Sequence, residues 1–515
     1  METLLIQQNL LALNNMSLKQ IGAKIYAKIS AYKTASWANK PIQTQEKVFN
    51  ELINKAKNTK FGKDHHFEKI SNYKDFQQEV SISDYEGLRP YVEEVVAGKE
   101  DILWPGKPLY FAKTSGTTSG AKYIPLTKDS MPNHIDAARN AILSYIHETG
   151  NASFVDGKMI FLQGSPELDE KNGIHFGRLS GIVAHFIPAY LQANRMPSWE
   201  TNTIEDWNTK IRKIVEETEV ENMTLISGIP SWVQTYFEIL VEKHQKPIDK
   251  IFPNFSLFIY GGVNYEPYRS KFEELIGSKK DSIELYPSSE GFFAYQDKQN
   301  EKGMLLLLNA GIFYEFIKAD EFFEDKPKIL TIKDVEIEVN YVMVISNNAG
   351  LWRYNVGDTI MFTSTKPYRV MVSGRIKHFT SAFGEHVIAK EVEQAIQEAS
   401  QKHQAQISEF TVAPEVDPEK GLPYHEWFIE FQKEPNNLAA FANTIDDSVR
   451  KQNSYYDDLI QGNILRKLVI TKIEKDGFQS FMKAKGKLGG QNKIPRLSND
   501  RDIAGQLEPF KIKTD

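Results

Sequence analysis

Four short apolar runs, each emptying into a turn, do most to limit what this chain can fold into. They are Lys158 to Gln163 (KMIFLQ), Met223 to Ser227 before Gly228-Ile229-Pro230-Ser231-Trp232, Ser256 to Tyr260 before Gly261-Gly262, and Ser282 to Tyr286 before Pro287-Ser288-Ser289-Glu290. Runs this short, bounded by Gly, Pro and Ser, read as buried strands. The segments around them, Asp129 to His147 and Trp207 to Glu217, carry apolar residues at helical spacing, with Ala137, Ala138, Ile142 and Tyr145 on one face of the first. Strands alternating with helices predict an α/β sheet, in which ligands gather at the C-terminal strand ends.

The pattern changes at Met304. Met304 to Leu308 (MLLLL), Ile312 to Ile317, Val335 to Val339 (VEIEV) and Tyr341 to Ile345 follow closely enough to predict sheet joined by hairpins. Ser373-Gly374-Arg375 breaks that row. Beyond it come a helix from Ala389 to Ala399, strands at Glu409 to Ala413 and Glu426 to Phe431, and a further helix and a strand near Leu465 to Ile473. The fold class expected is therefore α/β: a large N-terminal domain of β-sheets flanked by helices over residues 1–374, then a small α+β domain over 375–515 after a hinge. Upstream, Ile21, Ile25, Ile29 and Val48, Leu52, Ile53 predict amphipathic surface helices, and Ser81 to Glu86 reads as a helix start.

Length and composition set outer bounds. At 515 residues, more than one domain is expected. A net charge of -6 over that length argues against a nucleic-acid surface. The absence of cysteine removes disulfides, thiolate metal sites and cysteine nucleophiles. The first residues, METLLIQQNLLALNN, lack the basic start of a signal peptide, and Met304 to Leu308 is too short to cross a bilayer. A cytoplasmic protein with no membrane partner is the expectation.

Tyr110 to Thr127 (YFAKTSGTTSGAKYIPLT) is the stretch that points to chemistry. A brief strand leads into Thr114, Ser115, Gly116, Thr117, Thr118, Ser119 and Gly120, and Lys122 follows. Glycines let an anion approach the main chain, and hydroxyls, N–H groups and a lysine can grip a phosphate. A flexible Gly/Ser/Thr linker has similar composition, but apolar residues flank this stretch on both sides. It is not a GxxxxGK[ST] loop, and GxGxxG, HExxH and GxSxG are also absent.

The loop resembles the phosphate loop of acyl-adenylate-forming enzymes. Tyr286-Pro-Ser-Ser-Glu290 is similar to their second nucleotide motif. Ala349-Gly-Leu-Trp-Arg-Tyr-Asn-Val-Gly-Asp358 resembles the third motif of one branch, as do Phe313-Tyr-Glu-Phe316 and Gln491-Asn-Lys493-Ile-Pro-Arg496. On these motifs, in this order, the chain is identified as a bacterial-type member of the GH3 acyl acid amido synthetases.

That resemblance implies a mobile C-terminal domain and a two-step reaction. A carboxylic acid attacks the α-phosphate of ATP, and an amine, expected to be an amino acid, then takes the acyl group as an amide. ATP and Mg²⁺ are the implied cofactors. Thr114 to Gly120 and Lys122 would hold the β- and γ-phosphates. Tyr286 would stack on adenine beside Ser289, Glu290 would coordinate Mg²⁺, and Asp358 would accept from the ribose hydroxyls. Arg375 would sit near ribose or phosphate, with Lys377 and His378 as neighbours. Lys493 would reach the α-phosphate, although Lys483, Lys485 and Lys487 share its basic stretch. Arg353 and Tyr354 read as structural.

Bland readings stand beside several of these. Ser288-Ser289-Glu290 also looks like a helix start, a strand tyrosine is commonly core, and Gly-Asp is a common turn. Plant relatives place arginines in the helix after the loop, whereas Ser130 to Ile135 has none and Arg139 lies a turn further on. This departs from an acidic hormone-like substrate. Gly228 to Trp232 and Gly261 to Asn264 are candidate pocket walls. An acid–CoA ligase and a nucleotide-binding protein without catalysis are the competing functions.

Overall fold

The structure is a computed structural model that describes residues 16–512, except 115–121, 187–191, 205, 263–264, 323, 325, 376–378, 381–386, 416–417, 419, 462–464, 486–493 and 499–500. The first strands are β1 (Tyr110–Thr114), β2 (Lys122–Leu126), β3 (Lys158–Phe161), β4 (Asp169–Lys171), β5 (Ile174–Gly177) and β6 (Arg195–Met196). They are followed by β7 (Met223–Ser227), β8 (Leu257–Gly261), β9 (Asp281–Ser288), β10 (Gly291–Tyr295) and β11 (Met304–Leu306). Then come β12 (Ile312–Lys318), β13 (Leu330–Thr331), β14 (Asn340–Asn347), β15 (Tyr354–Thr365) and β16 (Tyr368–Arg375).

Twelve of these strands form one sheet in the order β13-β12-β14-β15-β16-β11-β10-β9-β8-β7-β3-β6. The four apolar runs are its neighbours β9, β8, β7 and β3, all parallel. Both faces of these strands are covered, which is why they read as continuous apolar runs. Ile226 and Phe258 face a cluster with Val233, Phe237 and Phe272 from the helices Pro230–His244 and Glu266–Ile276. Leu225, Leu257, Ile259 and Ile283 face the opposite way, with Ala141 and Tyr145 of the helix Met131–Thr149. From β10 through β16 every pairing is antiparallel, and from Met304 onward the short spacings predicted it.

Three local expectations are corrected. Val335 to Val339 is not a strand: Glu338 adopts φ +64°, and Ile337 makes one isolated bridge to Phe362. Ser288-Ser289-Glu290 does not open a helix. It is the turn of the β9–β10 hairpin, where Ser288 pairs with Gly291. In the helix Leu18–Ala38, Ile25 and Ile29 are 59% and 47% exposed, whereas Ala27 and Ser30 are buried. Small residues face inward there because the helix lies close along Met131–Thr149, with the Ser30 hydroxyl donating to Asn140 at 3.1 Å.

Two of the motifs meet in the core. Glu315 of β12 is fully buried, and Arg353 bonds its carboxylate at 2.8–3.1 Å through Nε and Nη2. Arg353 Nη1 donates to the Val80 carbonyl at 2.7 Å, and the Tyr73 hydroxyl donates to Glu315 at 2.7 Å. Burial and the neighbouring Glu315 carboxylate push the Tyr73 hydroxyl above the usual tyrosine range. Trp352 next to it is fully buried, with Nε1 donating to the Leu103 carbonyl at 3.1 Å. Gly350 is required, because its φ is +90° and a Cβ would meet the Leu103 backbone at 2.9 Å. AGLWR is thus an anchor for β15, which carries Asp358.

The C-terminal part contains β17 (Phe379–Thr380), β18 (Val387–Ile388), β19 (Gln406–Glu415), β20 (Tyr424–Lys433) and β21 (Val469–Ile473), the last three forming one sheet. The helices Ala389–His403 and Leu438–Gln452 cover it. Val392, Ile396, Phe410, Trp427, Ile429 and Phe441 form a hydrophobic cluster that takes no residue from before Val387.

Candidate active site

β1 and β2 form an antiparallel hairpin, with Thr114 opposite Lys122, so the Gly/Ser/Thr stretch joins two paired strands rather than a strand and a helix. Residues 115–121, which include Ser115, Gly116, Thr117, Thr118, Ser119 and Gly120, lie outside the described residues, as does the Thr114 side chain. Lys122 is described. Its Nζ lies 5.6 Å from the centre of the Tyr85 ring, and the Tyr85 hydroxyl accepts from Tyr123 N–H at 2.9 Å. Tyr85 opens the helix Tyr85–Val96, which Asp84 caps by accepting from Glu86 and Gly87 N–H.

Lys122, Tyr286, Ser289, Glu290 and Asp358 all line one cleft of about 1660 Å³. Single-ligand pockets are commonly about 300–1,000 Å³, so this cleft has room for a nucleotide and a second molecule. One wall is the curled sheet, and the other is the C-terminal part, through Ala389, Glu393, Phe481, Lys485, Ile494 and Arg496. Trp207 and Trp232, with ring centres 4.6 Å apart, add an aromatic patch with Ile229. Ile229 and Trp232 come from the Gly228-to-Trp232 turn singled out as a pocket wall.

Glu290 sits in the two-residue turn between β9 and β10. The Ser288 hydroxyl donates to its carboxylate, and Asn347 Nδ2 donates to its carbonyl at 2.7 Å. A half-buried carboxylate on a fixed turn facing the cleft fits Mg²⁺, which takes one or two carboxylates plus phosphate oxygens and water. Tyr286 is 6% exposed. Its ring packs edge-on against Phe293 at 5.0 Å, and its hydroxyl donates to Asp358 Oδ2 at 2.7 Å. Asp358 follows Gly357, which adopts φ +85° inside β15 where its pairing with β14 shifts register.

Arg375 is the register partner of Asp358 across β15 and β16, and its side chain lies outside the described residues. Lys377 and His378 also lie outside, as do Val263 and Asn264. Lys493 falls outside too, within 486–493, but the flanking Lys485 and Ile494 both line the cleft.

Sequence reasoning missed the charged seam between the two parts. Arg496 pairs with Glu409, reaches Glu393 at 3.4 Å, and donates to the Tyr268 hydroxyl of Glu266–Ile276 at 3.3 Å. Glu284 of β9 faces Glu266, Arg269 and Glu393. Burial, then the Glu266 and Glu393 charges, raise its carboxyl to about 7, against the opposing pull of Arg269. The one sequence signal was an acid inside the apolar run SIELY.

This makes stability pH-dependent. A carboxyl raised in the folded state gives full stability below the ordinary carboxylate range and loses it as pH rises through about 7. The loss is about 3 kcal/mol for a shift of that size. Glu391, which burial also raises to about 7, adds to the same fall. Urea unfolding at a series of pH values is expected to show Glu284→Gln reducing the decline in stability between mildly acidic and mildly alkaline pH by about 3 kcal/mol. An unchanged decline would refute the burial of this charge.

The sequence patterns of the GH3 family match this chain in three blocks: the N-terminal domain at residues 33–209, the central domain at 305–375 and the C-terminal domain at 390–502. The fold is that of the acyl-adenylate-forming ligases. The chain superposes on the GH3.15 acyl acid amido synthetase in complex with 2,4-DB with a TM-score of 0.77 at 16% identity, over 95% of this chain and 96% of that one. Against 2-hydroxyisobutyryl-CoA ligase with 2-HIB-AMP the TM-score is 0.60 at 12% identity, over 92% and 93%. Indole-3-acetic acid-amido synthetase GH3.3 of Arabidopsis thaliana is 20% identical, over 91% of each chain. The protein belongs to the GH3 family.

Among the described residues, no helix is long and apolar enough to cross a membrane.

Proposed function

We propose that the protein is an ATP-dependent ligase that adenylates a carboxylic acid and passes the acyl group to an amine, expected to be an amino acid. The observation that carries the reading is the gathering of Lys122, Tyr286, Ser289, Glu290 and Asp358, drawn from distant motifs, around one cleft roomy enough for two substrates. Family membership supports it.

In the first step a carboxylate oxygen of the acid forms a bond to the α-phosphorus, and the bond from that phosphorus to the bridging oxygen of pyrophosphate breaks. Two anions must approach, so the site's task is to neutralise charge. Thr114 to Gly120 and Lys122 hold the β- and γ-phosphates. Asp358 accepts from the ribose hydroxyls, Tyr286 and Ser289 line the adenosine side, and Arg375 stands opposite Asp358. Glu290 would hold Mg²⁺, which neutralises phosphate charge when bound. Lys493 is brought to the α-phosphate by rotation of residues 375–515 about a hinge near Gly374.

In the second step the neutral amine attacks the acyl carbonyl. The carbon–oxygen bond to AMP breaks, and the ammonium formed loses a proton to give the amide. The Trp207–Trp232 patch suits an apolar group on one substrate.

An acid–CoA ligase would share the first step and differ in the second. Mass analysis of reactions containing ATP, an acid and either CoA or mixed amino acids separates the two. An amide with stoichiometric AMP is expected, and a thioester formed with no amide under either condition would refute the amide reading.

A further inference from the structure

Tyr286 and Asp358 lie on β9 and β15, with β10, β11 and β16 between them in the sheet order. At about 4.8 Å per strand, a flat sheet would hold those two strands about 19 Å apart. Their side chains are nonetheless 2.7 Å apart, hydroxyl to carboxylate, so the sheet curls enough to bring β9 and β15 within side-chain reach. The bond is buried, and a hydrogen bond to a charged acceptor is among the stronger kinds.

Both partners are held from behind. The Tyr286 ring is fixed against Phe293 within the largest hydrophobic cluster. Asp358 follows Gly357 at an irregularity of β15, where Asn355 Oδ1 accepts from Gly357 N–H at 2.9 Å. A carboxylate presented to a diol must keep one orientation, because each oxygen serves one hydroxyl. A rigid phenol on Oδ2 sets that orientation.

We propose that the Tyr286 hydroxyl is a positioning group: it fixes the Asp358 carboxylate for recognition of the two ribose hydroxyls, in addition to any contact its ring makes with the base. The inference rests on the ribose role of Asp358, and the test separates the two. Isothermal titration with ATP and with 2′,3′-dideoxy-ATP gives the ribose preference of each variant as a ratio of Kd values, without knowledge of the acid substrate.

The unmodified protein is expected to prefer ATP by at least about 100-fold, the lower bound for two hydrogen bonds to a charged group. Tyr286→Phe keeps the ring and is expected to cut that preference about tenfold through ATP alone, leaving the dideoxy Kd unchanged. Asp358→Ala is expected to abolish the preference. If Asp358→Ala removes the preference while Tyr286→Phe keeps it, or if Tyr286→Phe weakens both nucleotides equally, the positioning role is overturned. If Asp358→Ala retains the preference, the ribose role itself fails and the inference falls with it. A thermal transition of unchanged cooperativity in each variant confirms that the comparison is between folded proteins.

Discussion

Arg353→Ala is expected to destabilise the fold by about 3–5 kcal/mol, because it strands a carboxylate in the core. Glu315 is fully buried, and its carboxylate is held by the Arg353 guanidinium and the Tyr73 hydroxyl. Removing the guanidinium also leaves the Val80 carbonyl without its 2.7 Å donor. The cost is that of an uncompensated buried charge, not the net worth of the pair. Replacing both partners with apolar residues of similar volume, Glu315→Leu with Arg353→Met, is therefore expected to recover part of the loss. Urea-induced unfolding of the two variants beside the unmodified protein measures both. A loss near zero for Arg353→Ala would contradict the placement of this pair in the core.

The second large effect concerns rate. Lys493→Ala is expected to lower acid-dependent ATP–pyrophosphate exchange about 10²–10³-fold, the usual cost of deleting one preorganised group from a developing charge. The carboxylate and the α-phosphate are both anionic, and charge accumulates on the phosphorus oxygens as the new bond forms. Amide formation from supplied acyl-AMP places its developing charge at the carbonyl, so that half-reaction is expected to survive in the same variant. Lys485 gives the control. It lines the cleft, but its Nζ rests 4.6 Å from the centre of the Phe481 ring, and Lys485→Ala is expected to have a much smaller effect. Exchange that survives Lys493→Ala unchanged would remove Lys493 from the first step.

Strands β3, β7, β8 and β9 were legible as buried strands because strands covered on both faces carry unbroken apolar runs, whereas their order in the sheet was not. The closely spaced antiparallel sheet from β11 onward showed in its spacing. The motifs indicated that distant residues share a task, but not how they meet. Glu315 and Arg353 belong to two such motifs, and their pairing depends on β12 and β15 flanking β14.

Other features were invisible for the same reason: local pattern names no partner. Ile25 and Ile29 have helical spacing yet face outward, because close helix contact selects Ala27 and Ser30 instead. Ser288-Ser289-Glu290 has the composition of a helix cap, and the antiparallel pairing of Gly291 with Ser288 decides for a hairpin. The link from Tyr286 to Asp358 depends on the curl of a whole sheet. Arg496 was visible as part of a motif, but its bridge to Tyr268 depends on how the C-terminal part rests on the helix Glu266–Ile276.

ATP–pyrophosphate exchange across a panel of aromatic and aliphatic carboxylic acids tests the central claim most directly. Exchange that depends on the acid, needs no amine and is accompanied by acyl-AMP is the result the account predicts. No exchange with any acid of the panel, or cleavage of ATP to ADP and phosphate in place of AMP and pyrophosphate, would contradict it.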